Sequence, residues 1–183
     1  MRDTREVYKL PEGHGWTARL GYKLLVLDRG AVLLEFPADW VVEPGPQQTD
    51  IRDGASAEES TCVLAVSYLR LPPVDWSELP LSRLLLDAVH GDDREWIGPG
   101  TVVEATRGGL ELAWTELRVV DAGERREARC RMGLARNERF QCLITFDFWP
   151  EDASRLDPVW ESVLDSLRLS ARVDDPTRGA RIE

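Results

Sequence analysis

Histidine and cysteine, the residues on which most metal centres and many nucleophilic sites are built, are scarce in this chain. The two histidines are His14, in a glycine-flanked loop, and His90. His90-Gly91-Asp92-Asp93 places nitrogen and oxygen donors at a helix end, but a metal site needs several convergent ligands and groups that orient them. The run reads as a solvated acidic turn, and no metal is expected. The three cysteines, Cys62, Cys130 and Cys142, fit no zinc spacing. Their odd number and their apolar strand settings predict reduced, buried thiols and a cytoplasmic protein. Lysine is limited to Lys9 and Lys23, and arginine supplies the other cations, a bias that suits a GC-rich bacterial genome. No G-x-S-x-G elbow occurs. Gly98-Pro99-Gly100 and Gly108-Gly109 lack the following Lys and helix of a phosphate loop, so they read as turns. No catalytic residue and no cofactor are expected. No run approaches the ~20 apolar residues of a membrane span. The opening MRDTREVYKL carries no apolar core, so no secretory signal is expected. Internal repeats and long low-complexity segments are also missing.

What is present is an ordinary globular composition. Hydrophobic residues make up 43% and charged residues 31% of 183 positions, enough to bury a core without staples. The formal net charge of −10 disfavours nucleic acid and anionic membrane as partners. Nearby carboxylates in so acidic a chain read as solvated faces. One domain is expected over residues 22–169. An extension, 1–21, precedes it, with Trp16 and Leu20 docking on the body, and a frayed polar tail, 170–183, follows.

The clearest element is a strand from Arg139 to Trp149. Phe140, Cys142, Ile144, Phe146 and Phe148 alternate with Gln141, Leu143, Thr145, Asp147 and Trp149, so the first set faces a core. Asp157-Pro158 suits an N-cap and first helical position, and Leu156, Trp160, Val163, Leu164 and Leu167 then share a helix face. Earlier, Tyr22 to Phe36 reads as a hairpin around Arg29-Gly30. Residues 41–60 read as a mobile loop. Thr61 to Leu71 is a strand stopped by Pro72-Pro73. Leu81 to His90 is a helix with Leu84, Leu85 and Ala88 inward and Gly91 as C-cap. Thr101 to Thr106 and Leu110 to Val120 form a hairpin at Arg107-Gly108-Gly109, with a bulge near Thr115-Glu116 where the apolar phase changes.

Glu127 to Ala135 precedes the Phe-rich strand. If Ala128, Cys130, Met132 and Leu134 share a face with Cys142, Ile144 and Phe146, the connection is Arg136-Asn137-Glu138, with Asn137 or Glu138 left-handed. Leu134 then pairs with Phe140 and Met132 with Cys142, and Arg129 and Arg131 point outward beside Gln141, Thr145 and Asp147. The fold class is α+β: an antiparallel sheet of about seven strands packed by a C-terminal helix and a shorter mid-chain helix.

Two stretches carry a family resemblance. One is Phe36-Pro37-Ala38-Asp39-Trp40, followed by Asp50-Ile51-Arg52-Asp53. The other is the ending from Val159 to Leu169, an amphipathic helix closing on Ser166-Leu167-Arg168-Leu169. Both resemble the Mog1/PsbP-like superfamily. The resemblance implies a central antiparallel sheet with helices on both faces, and binding as the shared activity. Its members include a Ran-GTPase-binding factor, an extrinsic photosystem II subunit and bacterial chaperones of secreted effectors. The polar outer face of the strand at Arg139 departs from a sheet covered there by a helix. The missing transit or lumenal segment counts against the photosystem role.

Seven tryptophans are a further signal. Trp40, Trp114 and Trp160 fit core positions. Trp76, Trp96 and Trp149 fall in loops or at element ends. Trp76 and Trp96, with Asp92 and Asp93, form the candidate partner-binding set: aromatic anchors with an acidic rim. The expected function is a non-catalytic cytoplasmic protein-binding module, adaptor or chaperone-like, and a homodimer is compatible with it. The alternatives are a small-molecule or lipid site between the sheet and the final helix, and a hydrolase built on acidic residues.

Overall fold

A computed structural model describes residues 17–171 apart from 57, 77 and 99. The eleven strands described are β1 (Tyr22–Leu27), β2 (Val32–Pro37), β3 (Val41–Pro44), β4 (Thr49–Arg52), β5 (Cys62–Arg70), β6 (Trp96–Gly98), β7 (Val103–Arg107), β8 (Leu110–Val120), β9 (Glu127–Arg136), β10 (Phe140–Phe148) and β11 (Arg168–Leu169). Helix α1 spans Leu81–His90, between β5 and β6, and α2 spans Ala153–Ser166, between β10 and β11. The large sheet runs β3-β4-β5-β10-β9-β8-β6, with β7 also on β8, and the small sheet runs β1-β2-β11. All pairings are antiparallel.

The α+β class holds, with a second sheet and four short strands that the residue pattern did not reveal. Residues 41–60 are not simply a loop: β3 and β4 form a hairpin there. Strand β4 pairs with β5 from Thr49↔Val66 to Arg52↔Val63, and its alternation is only four residues long, with Thr49 and Ile51 buried. The β1–β2 turn places Asp28, Arg29 and Gly30 all at positive φ, the third of these as expected. Gly108 and Gly109, both at positive φ, close the β7–β8 hairpin. Gly91 caps α1 with a right-handed backbone, donating its N–H to Asp87.

Two cores lie on opposite faces of the large sheet. On one face, α2 and the small sheet cover Ile51, Leu64, Val66, Cys142, Ile144, Phe146 and Phe148. On the other, α1 covers the half of the sheet made by β8 and β9, through Leu81, Leu85 and Val89. Leu84 and Ala88 are only partly buried there. Because α1 sits over β8 and β9, Gln141, Thr145 and Asp147 of β10 remain partly open. That removes the conflict between a polar outer face and a helix on that side.

Burial on both faces explains three corrections. Leu110 and Leu112 face α2, while Ala113, Leu117 and Val119 face α1. The change of phase in β8 is therefore a change of core, and its ladder with β9 runs without a bulge from Glu111↔Arg136 to Val120↔Glu127. The β9–β10 register differs from expectation too: Leu134 pairs with Leu143 and Met132 with Thr145. Met132 and Leu134 face α1. The residues of β9 on the Phe146 side include Arg129, opposite Phe148, with Arg131, Gly133 and Ala135, so neither arginine lies beside Gln141, Thr145 and Asp147 as expected. Gly133 sits at a close approach, since a Cβ there would lie 3.2 Å from Trp160 Cη2 and 3.4 Å from Trp114 Cβ. Neither Asn137 nor Glu138 is left-handed. Instead Asn137 Oδ1 accepts from the N–H groups of Arg139 (2.8 Å) and Phe140 (2.9 Å). Arg131 does not point outward. It is buried, lies 5.0 Å from the Phe148 ring centroid, and pairs with Glu116 and with Asp157 of α2.

Helix α2 begins five residues earlier than Asp157-Pro158 suggests, with Pro158 inside it. Proline there forfeits one helical hydrogen bond. Burial of Leu156 before it and Trp160 after it holds the helix together across that point. Leu20 does not dock. It is fully exposed, and the chain is instead fastened by Arg19, which pairs with the buried carboxylate of Glu35. The expectations for Trp16 and for the tail beyond 171 lie outside the described residues.

Candidate functional site

After β5 the chain is clamped to the β9–β10 connection, the Leu71 N–H donating to Arg139 O at 2.8 Å. Pro72 and Pro73 prevent further ladder pairing. The segment then curls on itself: the Val74 N–H and the Trp76 indole N–H both donate to Pro72 O, at 2.8 and 3.3 Å. Trp76 is thereby half-buried with its polar edge satisfied, and Val74 stands 57% exposed. These residues form one wall of an open groove of about 860 Å³. The other wall comes from the ends of two hairpins, Gly109 and Asn137 to Arg139.

That far wall is stiff. Asn137 Nδ2 donates to Leu169 O (3.2 Å) and Ser170 Oγ (3.1 Å), tying the connection to β11. Arg136 also lines the groove. It donates to Glu111 Oε2 from Nε (2.9 Å) and Nη2 (2.7 Å), while its buried Nη1 has no hydrogen-bond partner among the described residues. Its side chain is only 5% exposed. The groove thus joins an apolar lip to a wall that includes the buried, Glu111-paired Arg136.

The other predicted site residues lie elsewhere. Asp92 accepts from the Arg94 N–H (3.0 Å) and from its Nη2 (2.6 Å). Arg94 then reaches across to Asp147 Oδ1 (2.6 Å) and Cys130 Sγ (3.1 Å). The hydrogen bonds from Arg94 hold the Asp92 carboxyl below its ordinary range. This ion cluster pins the segment after α1 to the outer sheet face, so Asp92 is committed to a lock. Asp93 is exposed. Trp96 begins β6, pairing with Val119, and its side chain lies outside the described residues. Trp76 sits by Arg139, whereas Asp92 is linked to Asp147. Eight residues of extended β10 separate those points, roughly 26 Å at ~3.3 Å per residue. The four residues therefore occupy two places and do not form one patch.

Arg136 and Val74 were not legible as groove residues. Arg136 reads as part of a turn from the pattern, and it is the last residue of β9. Among the described residues no group of three or more His, Cys, Asp or Glu is arranged to hold a metal ion. None of the described helices is long and apolar enough to cross a membrane.

Residues 23–173 match the family Alr1449. The chain belongs to the Alr1449 family. A member from Nostoc sp. (strain PCC 7120), the protein alr1449, is 37% identical over 176 residues, covering 96% of this chain and 91% of the relative. Among solved structures, cyanobacterial PsbP (CyanoP) from Synechocystis sp. PCC 6803 superposes with a TM-score of 0.55 at 14% identity. It covers 85% of this chain and 98% of that one. The Saccharomyces cerevisiae Ran-binding protein Mog1p superposes with a TM-score of 0.52 at 14% identity, over 81% of this chain and 95% of that one. This Alr1449 family member therefore has the Mog1/PsbP-like fold. The Phe36-Pro37-Ala38-Asp39-Trp40 phrase has a structural role in it: Phe36 and Trp40 are buried, and the Trp40 ring lies 6.0 Å from Phe146.

Proposed function

We propose that this Alr1449 family member is a non-catalytic, cytoplasmic protein-binding module, an adaptor or chaperone, whose partner enters the groove at Trp76. The observation that carries this reading is the groove itself: Val74 and Trp76 on a self-braced segment, facing a hairpin end, with Arg136 and Arg139 also in its lining. A half-buried tryptophan with its N–H already satisfied offers a rigid apolar face at little entropic cost, and such side chains dominate interface energetics. The flanking Glu138 and Arg139 supply charges of both signs at the rim, which set orientation and reject wrong partners. The partner segment that fits brings an apolar side chain to Val74 and Trp76 and a carboxylate or carbonyl to the arginine side. The Ran-binding name of Mog1p supports a protein ligand for this fold. Asp93 and the β6 region form a second, separate contact area in this proposal.

The test is photocrosslinking from a reactive side chain at position 74, followed by affinity measurement with the purified crosslinked partner. Trp76→Ala is expected to weaken binding by at least ~30-fold, the ~2 kcal/mol of an interface hot spot, with little change in melting temperature. Charge-neutral Asp93→Asn is expected to slow association without altering dissociation. A crosslink to a second copy of this chain identifies self-association as the contact. The reading is overturned if no adduct forms at position 74, or if binding of the partner is insensitive to Trp76→Ala.

A further inference from the structure

Between α1 and β6, over the second half of β8, lies a cleft of about 490 Å³. Its walls are Leu86 and Val89 of α1, Ile97 of β6 and Leu117 of β8, with Thr115 beside Leu117 and His90 at the helix end. Val89 and Leu117 are buried, whereas Leu86 and Ile97 are 41% and 43% exposed. Among the described residues that line it, none is Lys, Arg, Asp or Glu, and none is shared with the Trp76 groove.

Thr115 is the chemically odd member. It lies on the same face of β8 as Ala113, Leu117 and Val119, all buried and apolar. Thr115 itself is 1% exposed, and its hydroxyl finds no hydrogen-bond partner among the described residues. The backbone of Gly100 presses on it, since a Cβ at that position would lie 2.3 Å from Thr115 Oγ1 and 1.9 Å from Glu116 O. A buried hydroxyl without a partner destabilises a fold, and valine has the same shape without that cost. A hydroxyl kept at this point is accounted for when its partner comes from outside the chain.

We infer that this cleft binds a compact, neutral organic molecule, its apolar body held among Leu86, Val89, Ile97 and Leu117 and its single polar head on the Thr115 hydroxyl. The volume falls in the ~300–1,000 Å³ range of small-molecule sites. With no Lys or Arg among its described lining residues, the cleft disfavours phosphorylated or carboxylate ligands, whose charge would be buried without a strong counter-charge. Strand β6 is joined to β8 by two residue pairs with a register shift between Trp96 and Gly98. That wall can therefore adjust to a guest without breaking a long ladder. The site is independent of the protein-binding groove.

The experiment uses the full chain and a neutral fluorescent probe, N-phenyl-1-naphthylamine, with 2-naphthol and naphthalene as a matched pair of competitors. One saturable site per chain is expected. Leu86→Trp, at a partly exposed position, fills the mouth and is expected to weaken the probe at least tenfold with an unchanged melting temperature. Wild type is expected to prefer 2-naphthol over naphthalene by about fivefold, the discrimination of one neutral hydrogen bond. Thr115→Val is expected to abolish that preference while keeping or raising the melting temperature, and Thr115→Ser to retain it. The inference is overturned by absence of saturable binding, by equal probe affinity in Leu86→Trp, or by an unchanged preference in a folded Thr115→Val protein.

Discussion

Replacing Trp160 by alanine probes the packing on which the whole α2 side depends. The indole is 1% exposed, edge-on to Trp114 at 5.6 Å between ring centroids and stacked near Phe146 at 6.2 Å. A buried tryptophan removes ~150–250 Å² from water, equivalent to ~4–6 kcal/mol at ~25 cal/mol/Å², and this is an upper figure because unfolded chains are partly compact. The two ring contacts add ~0.5–1.5 kcal/mol each. Against that, the indole N–H is buried without a partner, which takes back ~1–3 kcal/mol. The net expectation is ~4 kcal/mol, within the ~3–5 found for large aromatic truncations. A typical domain has only ~5–15 kcal/mol in total. Gly133 makes the argument sharper. Gly133→Ala pushes a methyl group against Trp160 and Trp114 and is expected to cost ~1–3 kcal/mol by overpacking. In the Trp160→Ala background the same methyl enters the space the indole left, so its cost should fall below ~0.5 kcal/mol, a coupling of ~0.5 kcal/mol or more. Urea denaturation followed by far-ultraviolet circular dichroism measures all four proteins, with equal m-values as the check on the unfolded reference. Additivity of the two substitutions, or a Trp160→Ala cost under ~1.5 kcal/mol, refutes this account of the core.

Further outcomes follow from single residues. Burial pushes the Cys142 thiol up to about 12 and raises those of Cys62 and Cys130. The native protein is therefore expected to resist thiol reagents near pH 8, and the denatured, unreduced protein to react with three equivalents; one equivalent signals a disulfide and defeats the expectation. Asp92 and Asp53 are both held below the ordinary carboxyl range. For Asp92 the cause is the Arg94 hydrogen bond. For Asp53, burial pulls upward, and hydrogen bonds from Thr61, Cys62 and Arg155 outweigh it. The unfolded chain then binds more protons than the folded one in that range. The stabilisation is thus complete above pH ~3.9, the ordinary aspartate value, and is lost as pH falls through the lower folded values. Asp92→Asn should lower stability at pH 7 by ~1–3 kcal/mol and make the acid limb of a stability–pH curve shallower; an unchanged acid limb contradicts the assignment. Asn137→Ala should cost ~1–3 kcal/mol, because it strips acceptors from two backbone N–H groups and releases β11, and a loss below ~0.5 kcal/mol would show the connection is not held by that side chain.

The amino-acid pattern by itself determined the elements whose environment is one-sided. Strand β10, with one face dry and the other partly wet, shows its alternation in full, and α1 has the predicted ends because prolines precede it and a glycine follows. Gly108 and Gly109 announce their turn because few other residues accept two successive positive φ values. The apolar face of α2, from Leu156 to Leu167, was equally plain. Of the candidate site, Trp76 could be singled out in the sequence, but not the groove it lines, nor that Asp92 is consumed by Arg94. Tertiary structure decided the rest wherever a segment meets two environments. Strands β8 and β9 are sandwiched between α1 and α2, so they carry two apolar sets. A pattern rule that assumes one wet face takes the change of core for a bulge and pairs the wrong sides. The information that settles the register is the smallness of Gly133 and Ala135, and it acquires meaning only when Trp160, twenty-seven residues further along the chain, arrives to occupy the space above Gly133. Likewise Arg131 and Arg136 look like solvent residues one at a time. Their burial depends on Glu116, Asp157 and Glu111, carboxylates brought from other elements, because a guanidinium leaves water only where a partner compensates its charge.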